Sequence, residues 1–188
     1  MFKLSLVHPR ESAGATQVSA SVDFKLSDME TLEATFEVHG DPFNCNEALP
    51  KDSSQWGLWD WDVVELFVTV EPPEGHATPS KATPKYYEFQ VSPIGQFFEL
   101  EIFEPRKKFN KSFSSGFKYN VFQLETNKLQ VKMSIPLKQL GWRGNPADIR
   151  GNAFAVLGKP ESRTYWSVFL PQQERPDFHL PEFFKPLL

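Results

Sequence analysis

Apolar and polar residues alternate with a period of two in segment after segment of this chain, and no other feature constrains the fold as much. The alternation is clearest over 2–6, 18–24 and 32–38. Successive side chains on a β-strand point to opposite faces, so each segment has one apolar and one polar face. This is the pattern of strands in antiparallel sheets with one face on a core.

Further strands are predicted from runs of β-branched and aromatic residues between turn residues. The run 62–70 is the most apolar and is expected to be a central strand. No segment repeats the i, i+3, i+4, i+7 pattern of an amphipathic helix over three turns, although one helical turn is predicted at 136–141. The remaining predicted strands are 86–92, 96–104, 117–124, 129–135, 152–157 and 165–170.

The sequence therefore predicts an all-β fold, an antiparallel β-sandwich of about ten strands with a jelly-roll or immunoglobulin-like arrangement. A length of 188 residues suits a single domain over 1–188. Prolines concentrate in 71–84, which is predicted to be a surface loop, and in 171–188. The segment 171–188 also carries six large apolar residues, so we expect it to pack on the sandwich as an extended C-terminal strap.

Composition excludes several classes of function. The single cysteine, Cys45, excludes an internal disulfide framework and a multi-cysteine zinc site. A formal net charge of −4 argues against a partner that is a nucleic acid, and no apolar run is long enough for a membrane span. Without a signal peptide at residue 1 the expected localisation is cytoplasmic, or extracytoplasmic if a signal has been removed.

Three tryptophans, Trp56, Trp59 and Trp61, fall within six positions just before the strand predicted at 62–70. Alternation along that strand places Glu65 on the face away from the core. A flat ring beside a carboxylate suits a sugar, because the C–H face of a pyranose stacks on the ring while its hydroxyls donate to the carboxylate. Alternatively, the tryptophans seal the end of the sandwich.

A second polar group falls on the strand predicted at 86–92, where Tyr86, Glu88 and Gln90 share one face. If this strand lies beside the preceding one, Glu65 joins the same face, and the cluster can orient a polyol by hydrogen bonding. Otherwise these side chains form an ordinary solvent-facing surface.

A further tryptophan, Trp166, follows Tyr165 in a distant strand. Its indole can stack on one face of a sugar ring while Trp59 stacks on the other. The alternative is that it belongs to the core or its rim.

Four stretches of the chain carry a resemblance to a known family: 58–67, 87–95, 165–167 and 176–183. Together they resemble the DOMON-like superfamily, and within it the family 9 carbohydrate-binding modules (CBM9-like) and related small bacterial DOMON-like proteins. The resemblance implies a non-catalytic carbohydrate-binding module that stacks a terminal saccharide between aromatic rings.

By this resemblance two tryptophans clamp the sugar and one carboxylate binds its hydroxyls. Trp59 and Trp166 match the clamp, and Glu65 matches the carboxylate. The ligand-binding set is completed by residues that extend the polar network or form the rim: Glu88, Gln90, Tyr86, Trp61 and Trp56. The family also implies a structural calcium ion away from the sugar, although no oxygen-rich ligand loop stands out.

Three other functions remain open. The first is a DOMON-like protein-interaction or scaffold domain that has kept the fold without a sugar site. The second is a DOMON-like domain that binds haem b through Met and His or Met and Lys, for which the candidate axial ligands are Met29, Met133, His39 and His179. The third is a glycosidase, which would need a carboxyl pair such as Glu65 with Glu88, or Asp60 with Asp62. Our prediction is that the chain is not an enzyme and has no catalytic residue.

The only basic cluster is 106–108 with Lys111, interleaved with Phe109, Phe113 and Phe117. A solvated loop is the ordinary account of such a run. An anionic glycan or another polar partner is the alternative.

Overall fold

The computed structural model describes residues 1–7, 18–40, 42–71 and 84–188. Within them, two antiparallel sheets pack face to face, which confirms the predicted all-β sandwich. All but the two end residues of the loop predicted at 71–84 lie outside the described residues.

Thirteen strands occur in the described ranges. They are β1 (Phe2–Lys3), β2 (Ser5–Leu6), β3 (Ser19–Ser27), β4 (Thr31–His39), β5 (Val63–Thr69), β6 (Tyr86–Val91), β7 (Phe97–Glu104), β8 (Lys108–Asn110), β9 (Lys118–Glu125), β10 (Lys128–Pro136), β11 (Arg150–Leu157), β12 (Thr164–Ser167) and β13 (Lys185–Pro186). The helical segments are short 3-10 turns: Leu58–Asp60, Leu137–Leu140, Pro146–Asp148, Pro160–Ser162 and Pro181–Phe183. The second of these is the helical turn predicted at 136–141.

The first sheet has five strands in the order β1-β3-β4-β10-β9. The second runs β2-β12-β11-β5-β6-β7-β8, with β13 paired to β11. We call it the large sheet. The run 62–70 does form a central strand of the large sheet, because β5 lies between β11 and β6.

The strand count exceeds ten for three reasons. The single strand predicted at 2–6 is divided at Leu4, whose backbone crosses from the five-stranded sheet to the large sheet. The short strands β8 and β13 have too few residues to show a period and were missed.

One apolar core fills the space between the two sheets. From the large sheet it receives Leu66, Phe89 and Ala155, and from the other sheet Phe36 and Met133, all buried. The alternation along each strand accounts for these inward positions. This inner core is the one that the sequence pattern predicts.

A second apolar cluster lies on the outer face of the large sheet, where the strap 171–188 covers part of it. Phe178 of the strap stacks on Phe154 of β11, with ring centroids 4.2 Å apart. Phe184 is buried beside Tyr86 of β6. Because both faces of the large sheet are covered, every residue of β5 and β6 is buried.

Candidate functional site

A cleft of about 620 Å³ opens on the outer face of the large sheet. Its floor comes from the outward side chains of β5, β6 and β7. One wall is the loop before β5, a second is the turn and strand around β8, and a third is the strap over 175–179. The cleft therefore gathers residues from parts of the chain more than 100 positions apart.

The floor of the cleft is a hydrogen-bonded group of three polar side chains. Glu65 of β5 lies directly opposite Gln90 of β6 in the antiparallel register. Gln90 Nε2 donates to Glu65 Oε1 at 3.1 Å and also to Glu88 Oε1. One amide group thus bridges two carboxyl groups, while Gln90 Oε1 is buried without a hydrogen-bond partner among the described residues.

The two floor carboxyl groups resist ionisation. Glu65 is 2% exposed and Glu88 is 3% exposed. Burial raises the pKa of Glu65 well above its ordinary value, and the charge of Glu88 raises it further. Burial also raises the pKa of Glu88, against the opposing hydrogen bond from Gln90. The pair therefore holds a proton to higher pH than exposed carboxyl groups do, and while it does so the floor has an O–H donor beside its acceptors.

His179 of the strap covers one end of this floor. Its Nδ1 lies 2.8 Å from the phenol oxygen of Tyr86, and its Nε2 lies 3.9 Å from Glu88 Oε2. Burial lowers the pKa of His179 to about 4, and the nearby charge of Arg106 adds to this. The imidazole is therefore neutral at pH 7 and anchors the strap by hydrogen bonding rather than by charge.

Two exposed tryptophans stand at the mouth of the cleft. Trp59 is 36% exposed and meets Trp56 edge to face, with ring centroids 4.7 Å apart. Trp56 also contacts Phe98 and Phe109, and Lys111 Nζ lies 3.4 Å from its ring centroid. Trp56 is 47% exposed even with the lysine over its ring, so both indoles present surface at the mouth of the cleft.

Asp62 fixes the loop that carries these tryptophans. Its carboxylate accepts the backbone N–H of Asn44 at 2.9 Å and of Gly158 at 2.6 Å. The first bond ties the loop to Asn44, and the second ties it to the residue that follows β11. Burial raises the pKa of Asp62 to about 6, while the two N–H donors oppose the rise.

Five of the predicted ligand residues line the cleft together: Trp56, Trp59, Glu65, Glu88 and Gln90. Trp61 is half-buried and is not part of the lining. Tyr86 is fully buried behind the floor, where its ring stacks on Phe67.

Trp166 requires a correction, because the predicted pairing of Trp59 with Trp166 across one sugar ring is not present. Trp166 lies opposite Ala155 in the β11–β12 pairing and faces the inner core. It is 9% exposed, and its indole N–H donates to Thr164 Oγ1. Tyr165, one position earlier, faces outward and lines the cleft instead.

Several lining residues were not predicted as ligands. The sequence did show the basic and aromatic run that supplies Arg106 and Phe109, but it did not show where that run lies. The sequence did not indicate that Arg163, Arg175 and Asp177 line a site. For the two strap residues the reason is that nothing in an irregular Pro-rich segment indicates which sheet face it covers.

The residues considered as haem ligands lie in different places. Met133 is buried in the inner core, Met29 is in an exposed turn, and His179 is on the outer face. Across 1–7, 18–40, 42–71 and 84–188, no three His, Cys, Asp or Glu side chains are grouped to hold a metal ion. The structural calcium remains an untested prediction. No helix of the described chain has the length and apolar character to span a bilayer.

Comparison with known sequences gives a limited answer. No protein-family model matches the chain, so the resemblance to family 9 modules and DOMON-like domains remains a prediction. The chain is similar to the UPF0462 protein C4orf33 homolog of Danio rerio, at 29% identity over 136 residues, covering 69% of this chain and 60% of that protein. It is likewise similar to UPF0462 protein C4orf33 of Homo sapiens, at 28% identity over 135 residues. That match covers 68% of this chain and 59% of the human protein.

The chain thus spans about three fifths of the length of the curated relatives it matches. Their names state no activity or ligand. Both are vertebrate proteins, whereas the sequence resemblance pointed to bacterial ones.

A solved structure supports the fold. A protein of Bacteroides uniformis, for which carbohydrate binding has been proposed, superposes with a TM-score of 0.69 and covers 98% of this chain and 83% of its own. The two sequences are 15% identical. At that identity the likeness establishes the shared architecture.

Proposed function

We propose that this chain is a non-catalytic carbohydrate-binding domain whose ligand lies in the cleft on the outer face of the large sheet. The observation that carries the proposal is the Glu65–Gln90–Glu88 group on the floor, next to the exposed ring of Trp59. Both parts of a sugar site are then adjacent: a ring for stacking and a polar floor for hydroxyls.

The hydrogen-bonding capacity of the floor favours hydroxyl groups. A hydroxyl both donates and accepts. Gln90 Oε1 is a buried acceptor without a partner among the described residues, and the carboxyl pair offers an O–H donor while it holds a proton. A ligand hydroxyl can satisfy both, whereas an apolar ligand would leave these groups unpaired at a cost of about 1–3 kcal/mol each.

The aromatic wall supports the same ligand class. Trp59 stands at the mouth, held by its contact with Trp56 and by the Asp62 anchor of the loop. A cleft of about 620 Å³ falls within the range of small-ligand sites, roughly 300–1,000 Å³. The carbohydrate binding proposed for the Bacteroides uniformis neighbour agrees with this function.

The arrangement of the carboxyl groups favours binding over catalysis. Glu65 and Glu88 are both almost fully buried and are bridged by one amide. Each has one oxygen engaged by Gln90 Nε2, an arrangement that suits hydrogen bonding to hydroxyls. Turnover of chromogenic glycosides by the wild type, abolished in Glu65→Gln, would contradict a non-catalytic role.

Isothermal titration with a panel of neutral and acidic mono- and disaccharides tests the proposal, using the wild type and Trp59→Ala. We expect at least one sugar to bind, and its affinity to fall about tenfold in Trp59→Ala, equivalent to about 1.4 kcal/mol. The fall reflects loss of the stacking surface.

The matched control is Phe122→Ala, which removes an exposed aromatic ring (44%) from β9 of the five-stranded sheet. Its affinity should equal that of the wild type. Equal heats for wild type and Trp59→Ala would remove Trp59 from the site. An absence of binding across the panel would leave the protein-interaction domain as the better explanation.

A further inference from the structure

Positive charge collects around the cleft. Three arginines line it, Arg106, Arg163 and Arg175. A fourth cation, Lys111, lies over the ring of Trp56, which is itself part of the lining. The chain as a whole has a net charge of −4, so this cluster opposes the average charge of the protein.

The arginines differ in how far their charge is compensated. Arg106 forms an ion pair with Asp177 of the strap. Arg163 instead donates to the backbone carbonyl oxygen of Asp60, and a carbonyl group carries no formal charge. The Nε of Arg163 is buried without a hydrogen-bond partner among the described residues. No described carboxylate lies within 4 Å of Arg163 or of Arg175.

The acidic residues of the cleft do not cancel this charge. Glu65 and Glu88 add less negative charge than two exposed carboxylates would, because burial raises the pKa of both. The other two carboxylates of the lining are the exposed Asp60 and the half-buried Asp177, and Asp177 is already paired with Arg106. An anion in the cleft would therefore meet more positive than negative charge.

The aromatic and basic run that stands out in the sequence belongs to this site. Arg106 lies in the turn between β7 and β8, Phe109 lies on β8, and Lys111 follows directly. Phe109 lines the cleft with Arg106. The run therefore forms a wall of the cleft rather than a loop remote from it.

We propose that the cleft prefers a saccharide bearing an anionic group, such as the carboxylate of a hexuronic acid, which Arg175 and Arg163 bind while Trp59 stacks on the ring. This inference rests on the proposed function and narrows its ligand class. Guanidinium groups suit a carboxylate because they can donate two parallel hydrogen bonds to it.

The test compares sugars that differ only at C6. Glucose is paired with glucuronate and galactose with galacturonate, and each is titrated into the wild type at low ionic strength. We expect the uronate to bind about tenfold more tightly than its neutral partner, because a charge-assisted hydrogen bond contributes about 1.5–3 kcal/mol. The preference should shrink in 0.5 M salt because exposed charges are screened.

Variants separate this inference from the proposed function. Arg175→Gln should lose about tenfold in affinity for the uronate and leave the neutral sugar unchanged, whereas Trp59→Ala weakens both. Arg143→Gln is the matched control, because Arg143 is exposed and is not part of the cleft lining. Arg163→Gln is a second variant at the site. Because Arg163 also donates to the backbone oxygen of Asp60 beside Trp59, it should weaken both sugars, and the uronate more.

Three results would overturn the acidic preference or the proposed function. Neutral sugars that bind as well as the uronates would overturn the acidic preference and leave the saccharide site standing. Equal losses for both sugars in Arg175→Gln and in Arg163→Gln would also overturn it. If no sugar of either kind binds, the proposed function fails and the inference with it.

Discussion

Neighbouring residues of the large sheet face two different environments. On the inner side, Leu66 and Phe89 pack against the five-stranded sheet in a continuous apolar core. On the outer side of the same two strands, Glu65, Glu88 and Gln90 form a polar floor under the strap. Both sides are buried, but the cleft and the carboxyl pair Glu65 and Glu88 lie on the outer side.

The difference shows how burial can serve two purposes. Tight packing between the sheets supplies stability through apolar area removed from water. On the outer face the strap leaves a gap, so burial instead raises carboxyl pKa values and positions hydrogen-bonding groups. The inner face stabilises the sandwich and the outer face is available for a ligand.

The largest expected effect tests this contrast with the same substitution on each face. Leu66→Ala, on the inner face, should lower the free energy of unfolding by about 4 kcal/mol, because a close-packed site cannot collapse around the cavity. Leu100→Ala, in the cleft lining, should cost about 2 kcal/mol, since the enlarged cleft can fill with water. Urea denaturation measures both, and equal losses would contradict the contrast.

A pH series provides a second test. The carboxyl pKa values of Glu65 and Glu88 are raised in the folded state. The stability that these groups contribute is therefore fully present below their ordinary pKa of 4.5, and it is lost as the pH rises through the folded pKa. The wild type should therefore lose stability from neutral to alkaline pH. Between pH 5 and pH 9 the free energy of unfolding of Glu65→Gln should fall less than that of the wild type.

Two other groups shape this pH profile. Asp62, with its pKa raised to about 6, contributes in the same direction, so the slope is reduced in Glu65→Gln rather than abolished. His179 has its pKa lowered to about 4. The stability that it contributes is therefore fully present above its ordinary pKa of 6.5, and it is lost as the pH falls towards 4. Glu125→Gln, at an exposed position in the other sheet, is the control and should follow the wild type. An identical slope in Glu65→Gln would refute the account of the buried pair.

The smallest effect compares two adjacent tyrosines. Tyr86 bonds to His179 of the strap, and Tyr87 donates to the backbone oxygen of Leu140 at 3.0 Å on the inner face. Replacing either by phenylalanine should cost about 1 kcal/mol. Only Tyr86→Phe should speed hydrogen exchange in the strap, and faster exchange there in Tyr87→Phe would show that the two faces are coupled.

Much of the site was predictable from alternation alone. The period of two places Glu65 opposite to the inward residues of β5, and Glu88 with Gln90 opposite to those of β6. Aromatic content also pointed to Trp56 and Trp59. The prediction went wrong at Trp166, because the period shows that neighbours face opposite ways but not which of them faces the core. The pairing of Trp166 with Ala155 decides that.

The sequence by itself determined the strand content, the two-faced strands and the polar identity of the floor, because these depend on local side-chain direction. Tertiary structure alone decided that β5 pairs with β6, which brings Gln90 between two carboxyl groups. It also decided that the strap and the β8 turn meet over that floor with their arginines. Such contacts join distant parts of the chain, and no local periodicity encodes them.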